Sequence, residues 1–174
     1  MQCTIPVSLV NRGMLLQELI PAFILFACAI GLALYGGLDP RKKLFGVGLL
    51  CVIGMMTSFS TAMLAFRSKI VVEEDVVTLY AGIYKANVPL SGLANAEASD
   101  QIGASLRKRT NGTSSRGVNA GWFEDPSGRK VFAISSSPGR VLLTTSGEFS
   151  LVMDKALYAE LGRCGVLSPP SEGP

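Results

Sequence analysis

Histidine is missing from this chain of 174 residues. It is the commonest general base and the commonest metal ligand among protein side chains, so its absence disfavours many classes of enzyme. The run Ser135–Ser137 therefore lacks the base that would activate a serine nucleophile, and no lysine stands three residues after any of these serines. We expect a protein with no catalytic residues, no metal site and no cofactor.

Charged residues are also scarce, at 17% of the chain against about a quarter in a typical soluble domain. Two stretches, 19–38 and 44–66, contain none. A lipid-crossing helix needs about 20 apolar residues, so each stretch predicts a transmembrane helix, and the short link 39–43 makes the two antiparallel neighbours. Two alternatives are disfavoured. A pair of buried helices in a soluble protein would show a polar stripe, and a cleaved signal peptide would have a shorter apolar core. We expect a tail over 1–14 and a two-helix transmembrane hairpin over 15–66.

Ionisable side chains are absent from the middle of both stretches, where transporters and proton relays place them. The hairpin is therefore predicted to be an anchor. Helices in lipid associate through small residues, and in both stretches such residues recur every four positions; the alternative is that they only face lipid. These candidate helix-pairing residues are Ala29, Ala33 and Gly37 in the first stretch and Gly54, Ser58 and Ala62 in the second.

No two cysteines have the close CxxC spacing that is typical of a metal or redox site. The four are Cys3, Cys28, Cys51 and Cys164, and two of them fall inside the apolar stretches. Free cysteine behaves as a small apolar residue. We interpret all four as packing residues and draw no conclusion from them about redox compartment.

From Arg67 onward, short apolar runs alternate with turn residues, which predicts a β-rich domain over 67–165. The polar stretch 99–120 is predicted to be a long loop or a loosely paired hairpin. Asp154 predicts the N-cap of a final helix, and 166–174 predicts a disordered tail. The predicted strands lie at about 70–72, 76–80, 83–88, 130–134, 140–144 and 148–152, with weaker candidates at 90–98 and 122–124.

Three short motifs in this domain are Arg-Thr-Asn-Gly-Thr at 109–113, Gly-Trp-Phe at 121–123 and Gly-Arg-Lys-Val-Phe at 128–132. Together with the order of short strands before one helix, they resemble a bacterial pleckstrin-homology-like (PH-like) domain family. The resemblance covers about Lys69–Leu161. It implies a small, mainly-β barrel or sandwich with one C-terminal α-helix, a membrane setting and no catalytic residues. The expected fold class is thus a transmembrane α-hairpin followed by a PH-like domain.

Basic residues in the polar stretch are candidate contacts for anionic lipid headgroups or for a partner: Arg107, Lys108, Arg109 and Arg116. The segment 67–174 contains twelve basic and eleven acidic residues, so a basic patch would have to be local, and a solvated loop is the alternative. Trp122 is a further candidate contact, although core packing explains it as well. Nucleic-acid binding is disfavoured, because it requires a basic surface with stacking aromatic residues.

The sequence favours a non-enzymatic, membrane-anchored module that binds a protein partner, or itself, at the membrane surface, with no small-molecule substrate evident. An exposed strand edge is the expected contact. The alternatives are an accessory subunit of a membrane transporter or envelope enzyme, and headgroup binding by the basic residues. We expect a multi-pass protein of the bacterial inner membrane with its β domain in the cytoplasm, although the basic link 39–43 argues for the other side.

Overall fold

The computed structural model describes residues 3–10, 12–37, 39–94, 97–99, 106–115, 117–136, 139–145 and 147–167. These residues form ten strands and four helices. In chain order the elements are β1 (Cys3–Pro6), α1 (Arg12–Leu34), α2 (Pro40–Arg67), β2 (Lys69–Val72), β3 (Val76–Ala81), β4 (Tyr84–Pro89), α3 (Leu90–Ala94), β5 (Glu97–Ser99), β6 (Lys108–Ser115), β7 (Val118–Glu124), β8 (Lys130–Ser135), β9 (Arg140–Thr144), β10 (Phe149–Asp154) and α4 (Lys155–Arg163).

The first described element is a strand in the segment that was predicted to be a tail. β1 pairs antiparallel with β2, with Cys3 opposite Val72 and Pro6 opposite Lys69. The backbone N–H of Val7 extends this pairing by donating to the carbonyl of Ser68 at 3.1 Å. Helices α1 and α2 are therefore inserted between two neighbouring strands of one sheet.

The predicted two-span hairpin is wrong, and with it the predicted fold class. Among the described residues, only α2 is long and apolar enough to cross a membrane, and the apolar part of α1, Leu19–Leu34, is too short. The apolar stretch predicted for the first span continues to residue 38, but the chain leaves the helix after Leu34 and turns at Gly36 and Gly37. Composition alone did not show where within the stretch the helix ends.

Helices α1 and α2 nevertheless pack against each other in antiparallel fashion. A Cβ atom added to Gly54 would lie 3.3 Å from the ring of Phe26, and one added to Gly46 would lie 2.7 Å from Leu32 Cδ2. Each glycine thus provides the space that a large α1 side chain occupies. Close approach of this kind is what small residues permit between helices.

The α1 side of this packing repeats at alternating intervals of three and four residues. From Leu19 onward its buried or half-buried positions are Ala22, Leu25, Ala29 and Leu32. This is the spacing of a coiled-coil seam, whereas the candidate helix-pairing residues recur in the sequence at a constant interval of four. Ala33 consequently lies on the exposed side of α1, and Gly37 lies exposed in the turn after the helix.

The carboxyl end of α2 is fixed to the β domain through Ser68, which is buried. Its hydroxyl donates to the carbonyl of Leu64 at 2.7 Å and accepts the backbone N–H of Gly82 at 3.1 Å. Gly82 has a φ of 65°, and a Cβ there would lie 2.9 Å from Leu64 Cδ2. The β3–β4 turn therefore closes directly onto the last turns of α2, and β2 follows the helix with no flexible linker.

The strands form two sheets. The first has the order β1-β2-β3-β4 and is antiparallel throughout, and the second has the order β5-β9-β10-β8-β7-β6. In the second sheet β8 and β10 are parallel, because β9 pairs on the far side of β10. Side chains from both sheets share one buried core, which includes Ile70, Leu79, Phe132, Leu151 and Met153.

Several predicted strands coincide with observed strands, and two segments differ. Residues 90–98, interpreted as a weak strand, contain the short helix α3 and then β5. Part of the stretch 99–120, interpreted as a loop or loose hairpin, forms β6 and the start of β7, paired in register from Asn111–Trp122 to Ser115–Val118. Polar residues can occupy β6 because it lies at the edge of its sheet, where little surface has to be buried.

The cysteine interpretation requires a correction, because Cys3 and Cys164 form a disulfide, with their Cα atoms 6.3 Å apart. The bond joins β1 to the end of α4 across a sequence separation of 161 residues. Cys28 and Cys51 are free and lie on α1 and α2. Spacing along the chain could not reveal this pair, since its members meet only after the whole domain has folded.

Helix α4 starts directly after Asp154 and buries Leu157 and Leu161 in the core. The Asp154 carboxylate makes no capping bond to the helix. It accepts instead from the backbone N–H and the hydroxyl of Ser136, at 2.9 and 3.0 Å. Asp154 therefore fastens the end of β8 to the start of α4.

Candidate binding surface

Strand β6 forms one edge of the second sheet and pairs, within the described residues, only with β7. We call its free side the β6 edge, residues 108–115. Most of its side chains are exposed, and no described strand pairs with the backbone groups that face away from β7. A register shift between Arg109 and Asn111 leaves Thr110 in a bulge.

Three of the basic residues singled out in the sequence lie at the start of this edge. Lys108 and Arg109 are exposed, as is Arg107, whose backbone N–H donates to the carbonyl of Glu124 at 2.8 Å. Arg116 lies outside the described residues. Charged residues at the end of an edge strand commonly protect it against unwanted pairing. The uncharged part from Asn111 to Ser115 is therefore the segment with which another strand could pair.

Two glycines allow β6 and β7 to lie close together. Gly112 and Gly121 face each other across the strands. A Cβ on Gly121 would lie 2.7 Å from the carbonyl oxygen of Asn111 and 2.9 Å from the ring of Tyr84, and its φ is 107°. Two of the three motifs that resemble the PH-like family therefore contain residues with a structural role in this hairpin.

Trp122 lies beside the β6 edge on the side of the sheet that faces the core. It is half-buried, and its ring meets those of Phe132 and Phe149 edge-to-face, with centroids 5.0 and 4.9 Å away. The Trp122 and Phe149 rings are inclined at 77°. Trp122 thus packs on the core through part of its surface and leaves the rest accessible.

The accessible part of Trp122 opens into a cleft of about 330 Å³, which we call the aromatic cleft. The other lining residues combine one more aromatic ring with polar and charged side chains. They are Thr110, Asn111, Glu124, Lys130, Glu148 and Phe149. The sequence did not indicate this site, because its walls come from four strands and one turn that are separated along the chain.

Charges of opposite sign alternate along one margin of the aromatic cleft. Lys108 lies opposite Glu124 on the neighbouring strand, and Glu124 lies opposite Lys130 on the next. Such cross-strand pairs offset one another. Glu148 is exposed in the β9–β10 turn, and neither it nor Glu124 makes an ion pair within the described part of the chain.

Two further arginines of the domain hold loops in place. The Arg129 guanidinium donates to the carbonyls of Thr145 and Gly147 at 2.9 and 3.2 Å. That of Arg140 donates to the carbonyl of Gly117 at 2.8 Å. These side chains brace the β9–β10 and β6–β7 turns.

The turn before β8 is organised by Asp125. Its carboxylate accepts from the backbone N–H of Ser127 and of Arg129, both at 2.9 Å, and from the Ser127 hydroxyl at 2.6 Å. Burial acts to raise the pKa of Asp125, but the hydrogen bonds and the charge of Arg129 outweigh it, so the pKa lies below its ordinary value of 3.8. The carboxylate is therefore ionised at neutral pH and stabilises the turn beside the cleft.

The six candidate helix-pairing residues divide between the helix contact and the exposed surface. Ala29 and Gly54 are buried where α1 meets α2, and Ala62 is half-buried. Ser58 is exposed and donates to the carbonyl of Gly54 at 2.9 Å. It lines an apolar groove of about 520 Å³ along α1, together with residues such as Leu19 and Phe23.

No group of three or more histidine, cysteine, aspartate or glutamate residues that could hold a metal ion occurs in the described ranges. No family model, curated protein or solved structure gives a significant match to the chain. Membership of a PH-like family accordingly stays a prediction from the three motifs.

Proposed function

We propose that this protein is a non-enzymatic, membrane-anchored module that binds a protein partner by strand addition at the β6 edge. The observation that carries the proposal is the free side of β6, an eight-residue strand with one neighbour among the described residues and an uncharged segment at 111–115. Backbone hydrogen bonds supply affinity in this mode of recognition, and side-chain pockets beside the edge supply specificity. The aromatic cleft is such a pocket.

Helix α2 provides the anchor. It is long and apolar enough to cross a membrane, and only 11% of its most apolar segment is buried. Phe66 at its end and Ile83 in the adjoining β3–β4 turn are 87% and 66% exposed, which suits the apolar boundary of a bilayer. Because Ser68 fixes α2 to the turn, the domain is held near the membrane, where tethering raises its effective concentration for other membrane proteins.

We further infer that the β domain faces an oxidising compartment outside the cytoplasm. Disulfides form and persist in such compartments and are rare in the cytosol, and Cys3–Cys164 closes the domain. Arg41 and Lys42 lie exposed and Lys43 half-buried at the amino end of α2, and basic residues favour the cytoplasmic side. This arrangement replaces the expectation of a cytoplasmic domain.

A second candidate function, an accessory subunit of a larger membrane complex, draws on the apolar groove along α1. Its exposed residues include Leu19, Ile20 and Phe23, at 57%, 55% and 76%. A helix of another membrane protein would bury this surface. The two functions are separable, because one uses the β6 edge and the other the helices.

The test is site-specific photo-crosslinking in living cells. A photoreactive residue in place of Thr110 or Lys108, both exposed on β6, is expected to give a discrete adduct of defined mass. The matched control replaces Glu74, exposed in the β2–β3 turn, and should give none. The same adduct from Glu74, or none from β6, contradicts strand addition; an adduct only from Phe23 on α1 favours the accessory subunit.

A further inference from the structure

We propose that the end of the first sheet next to α2 binds the phosphate groups of anionic phospholipids, through Lys69 and Lys85. This inference rests on the membrane-crossing role proposed for α2. It adds a lipid site that holds the β domain against the bilayer in one orientation, and it involves none of the residues of the β6 edge.

The charged side chains of the first sheet are divided by sign between its two ends. Its strands and the two turns that join β2, β3 and β4 carry five charged residues. Both basic residues, Lys69 and Lys85, lie at the end next to α2. The three acidic residues lie exposed in the β2–β3 turn at the opposite end: Glu73, Glu74 and Asp75. Strands rise about 3.3 Å per residue, so the acidic turn begins about 13 Å from the lysine of β2. An anionic surface therefore attracts one end of this sheet and repels the other.

The two lysines share one face of the sheet with Tyr80. Lys69 lies opposite Tyr80, and Tyr80 lies opposite Lys85, across three neighbouring strands. The ammonium nitrogens of Lys69 and Lys85 lie 5.6 and 5.5 Å from the centroid of the Tyr80 ring, a distance at which an aromatic ring attracts cations. Both lysines are exposed and make no ion pair within the described part of the chain. Their charges therefore converge on one ring and are available to an anion.

The depth of these lysines fits the headgroup layer of a bilayer that α2 crosses. Phe66 on the last turn of α2 and Ile83 in the β3–β4 turn are exposed apolar side chains, and we place the boundary of the hydrocarbon core at them. Lys85 follows Ile83 by two residues, which span at most about 7 Å of strand. The headgroup layer on each side of the core is about 5–7 Å thick. The ammonium groups therefore lie at the depth of the lipid phosphates.

The residues around the two lysines suit the same surroundings. Tyrosine is enriched at membrane–water interfaces, because its ring is apolar and its hydroxyl is polar, and Tyr80 is half-buried. Arg67, the last residue of α2, is exposed and adds a third cation two residues before Lys69. Basic residues next to a membrane helix attract anionic headgroups, and lysine stems can lie along apolar surface while the ammonium group reaches the polar layer. We assign Lys69 and Lys85 as the phosphate-binding residues and Tyr80 as the ring that positions them.

The experiment measures how closely the sheet approaches the lipid headgroups. A full-length variant that lacks Cys28 and Cys51 and retains the disulfide carries a fluorophore on Asn87→Cys. Asn87 is exposed on β4, two residues after Lys85 and on the same face. The protein is reconstituted into nanodiscs that contain a fixed fraction of a phospholipid with a nitroxide quencher on its headgroup. We expect at least twofold stronger quenching with phosphatidylglycerol present than with phosphatidylcholine alone, and loss of this difference at high salt.

Charge variants identify the residues responsible. Replacing both Lys69 and Lys85 by glutamine should abolish the effect of phosphatidylglycerol. The matched control, Lys108→Gln with Lys130→Gln, removes the same charge from exposed sites in the second sheet and should leave the effect unchanged. Quenching that does not depend on phosphatidylglycerol, an effect that survives in the first double variant, or an equal loss in both would each overturn the inference.

A second fluorophore position separates failure of this inference from failure of the proposed anchor. A label on Met56→Cys, exposed on α2, should be quenched by a nitroxide on the lipid acyl chain, with or without phosphatidylglycerol. If the label at 56 is quenched and the label at 87 does not respond to phosphatidylglycerol, the helix is in the bilayer and the headgroup site is wrong. If the label at 56 is not quenched, the anchor is wrong and the headgroup site is overturned with it.

Discussion

At the scale of single residues, the glycines of the β domain differ in what they do. Gly121 combines a φ of 107° with a close approach to the backbone of β6. Gly128 has a similar φ of 85° but nothing within 4 Å of an added Cβ, and Gly139 has neither constraint. Substitutions at the three positions therefore distinguish the cost of backbone strain from the cost of a steric conflict.

Alanine substitutions at these positions should follow that order. Gly139→Ala should change the free energy of unfolding by less than about 0.5 kcal/mol. Gly128→Ala should cost about 1–2 kcal/mol, because a Cβ is disfavoured at positive φ. Gly121→Ala adds a conflict with the Asn111 carbonyl and should cost more than about 3 kcal/mol.

Urea unfolding of the detergent-solubilised protein measures all three differences. Equal losses of unfolding free energy at Gly121 and Gly128 would mean that the close packing of β6 on β7 does not contribute to stability. The hairpin could then not be the rigid wall that the aromatic cleft requires. The sequence drew attention to Gly112 and Gly121 through motifs, but it could not show that they face each other.

At the scale of elements, the helix pair depends on glycines of α2 that accept side chains of α1. Gly54 receives the Phe26 ring and Gly46 receives Leu32, while Gly48 lies exposed with nothing within 4 Å of an added Cβ. Gly48 is thus a control within the same helix.

Gly54→Leu should force the helices apart, and Gly48→Leu should not. Packed helix axes lie about 8–10 Å apart depending on the side chains between them, so we expect a separation increased by about 2 Å. Spin labels at Ile30 and Leu49, both exposed, report the distance in a variant without Cys28 and Cys51. An equal change in the distance between the spin labels for both leucine variants would contradict the packing of Phe26 against Gly54.

Local signals predicted local structure well. The strand at 130–134 and the helix after Asp154 were both indicated by the residues of the sequence, and the structure contains each of them. The sequence predicted a loop or a loosely paired hairpin where β6 forms a regular strand, because an edge strand need not alternate polar and apolar residues.

Features that join distant parts of the chain were not predictable in this way. The pairing of β1 with β2, the parallel pairing of β8 with β10 and the Cys3–Cys164 disulfide all depend on the complete fold. The aromatic cleft belongs to the same class, because Trp122 and Phe149 meet only after β8 and β10 have paired. Trp122 was among the candidate contacts that the sequence indicated.

At the scale of the whole molecule, α2 and the disulfide together indicate how the helix and the β domain are placed relative to a membrane in the proposed function. The helix has exposed basic residues at its amino end and enters the β domain at its carboxyl end through Ser68. The disulfide closes that domain on the side where β1 and α4 meet. Exposed basic residues therefore lie at one end of α2 and the disulfide-closed domain lies at the other.

The most direct test of this arrangement compares two single cysteines in a variant that lacks Cys28 and Cys51 and retains the Cys3–Cys164 disulfide. Glu74→Cys lies in the exposed β2–β3 turn and Lys42→Cys at the exposed amino end of α2. A membrane-impermeant maleimide applied to intact cells should label position 74 at once and position 42 only after lysis. Protection of position 74 until lysis would contradict the account, because the β domain would then lie in the cytoplasm.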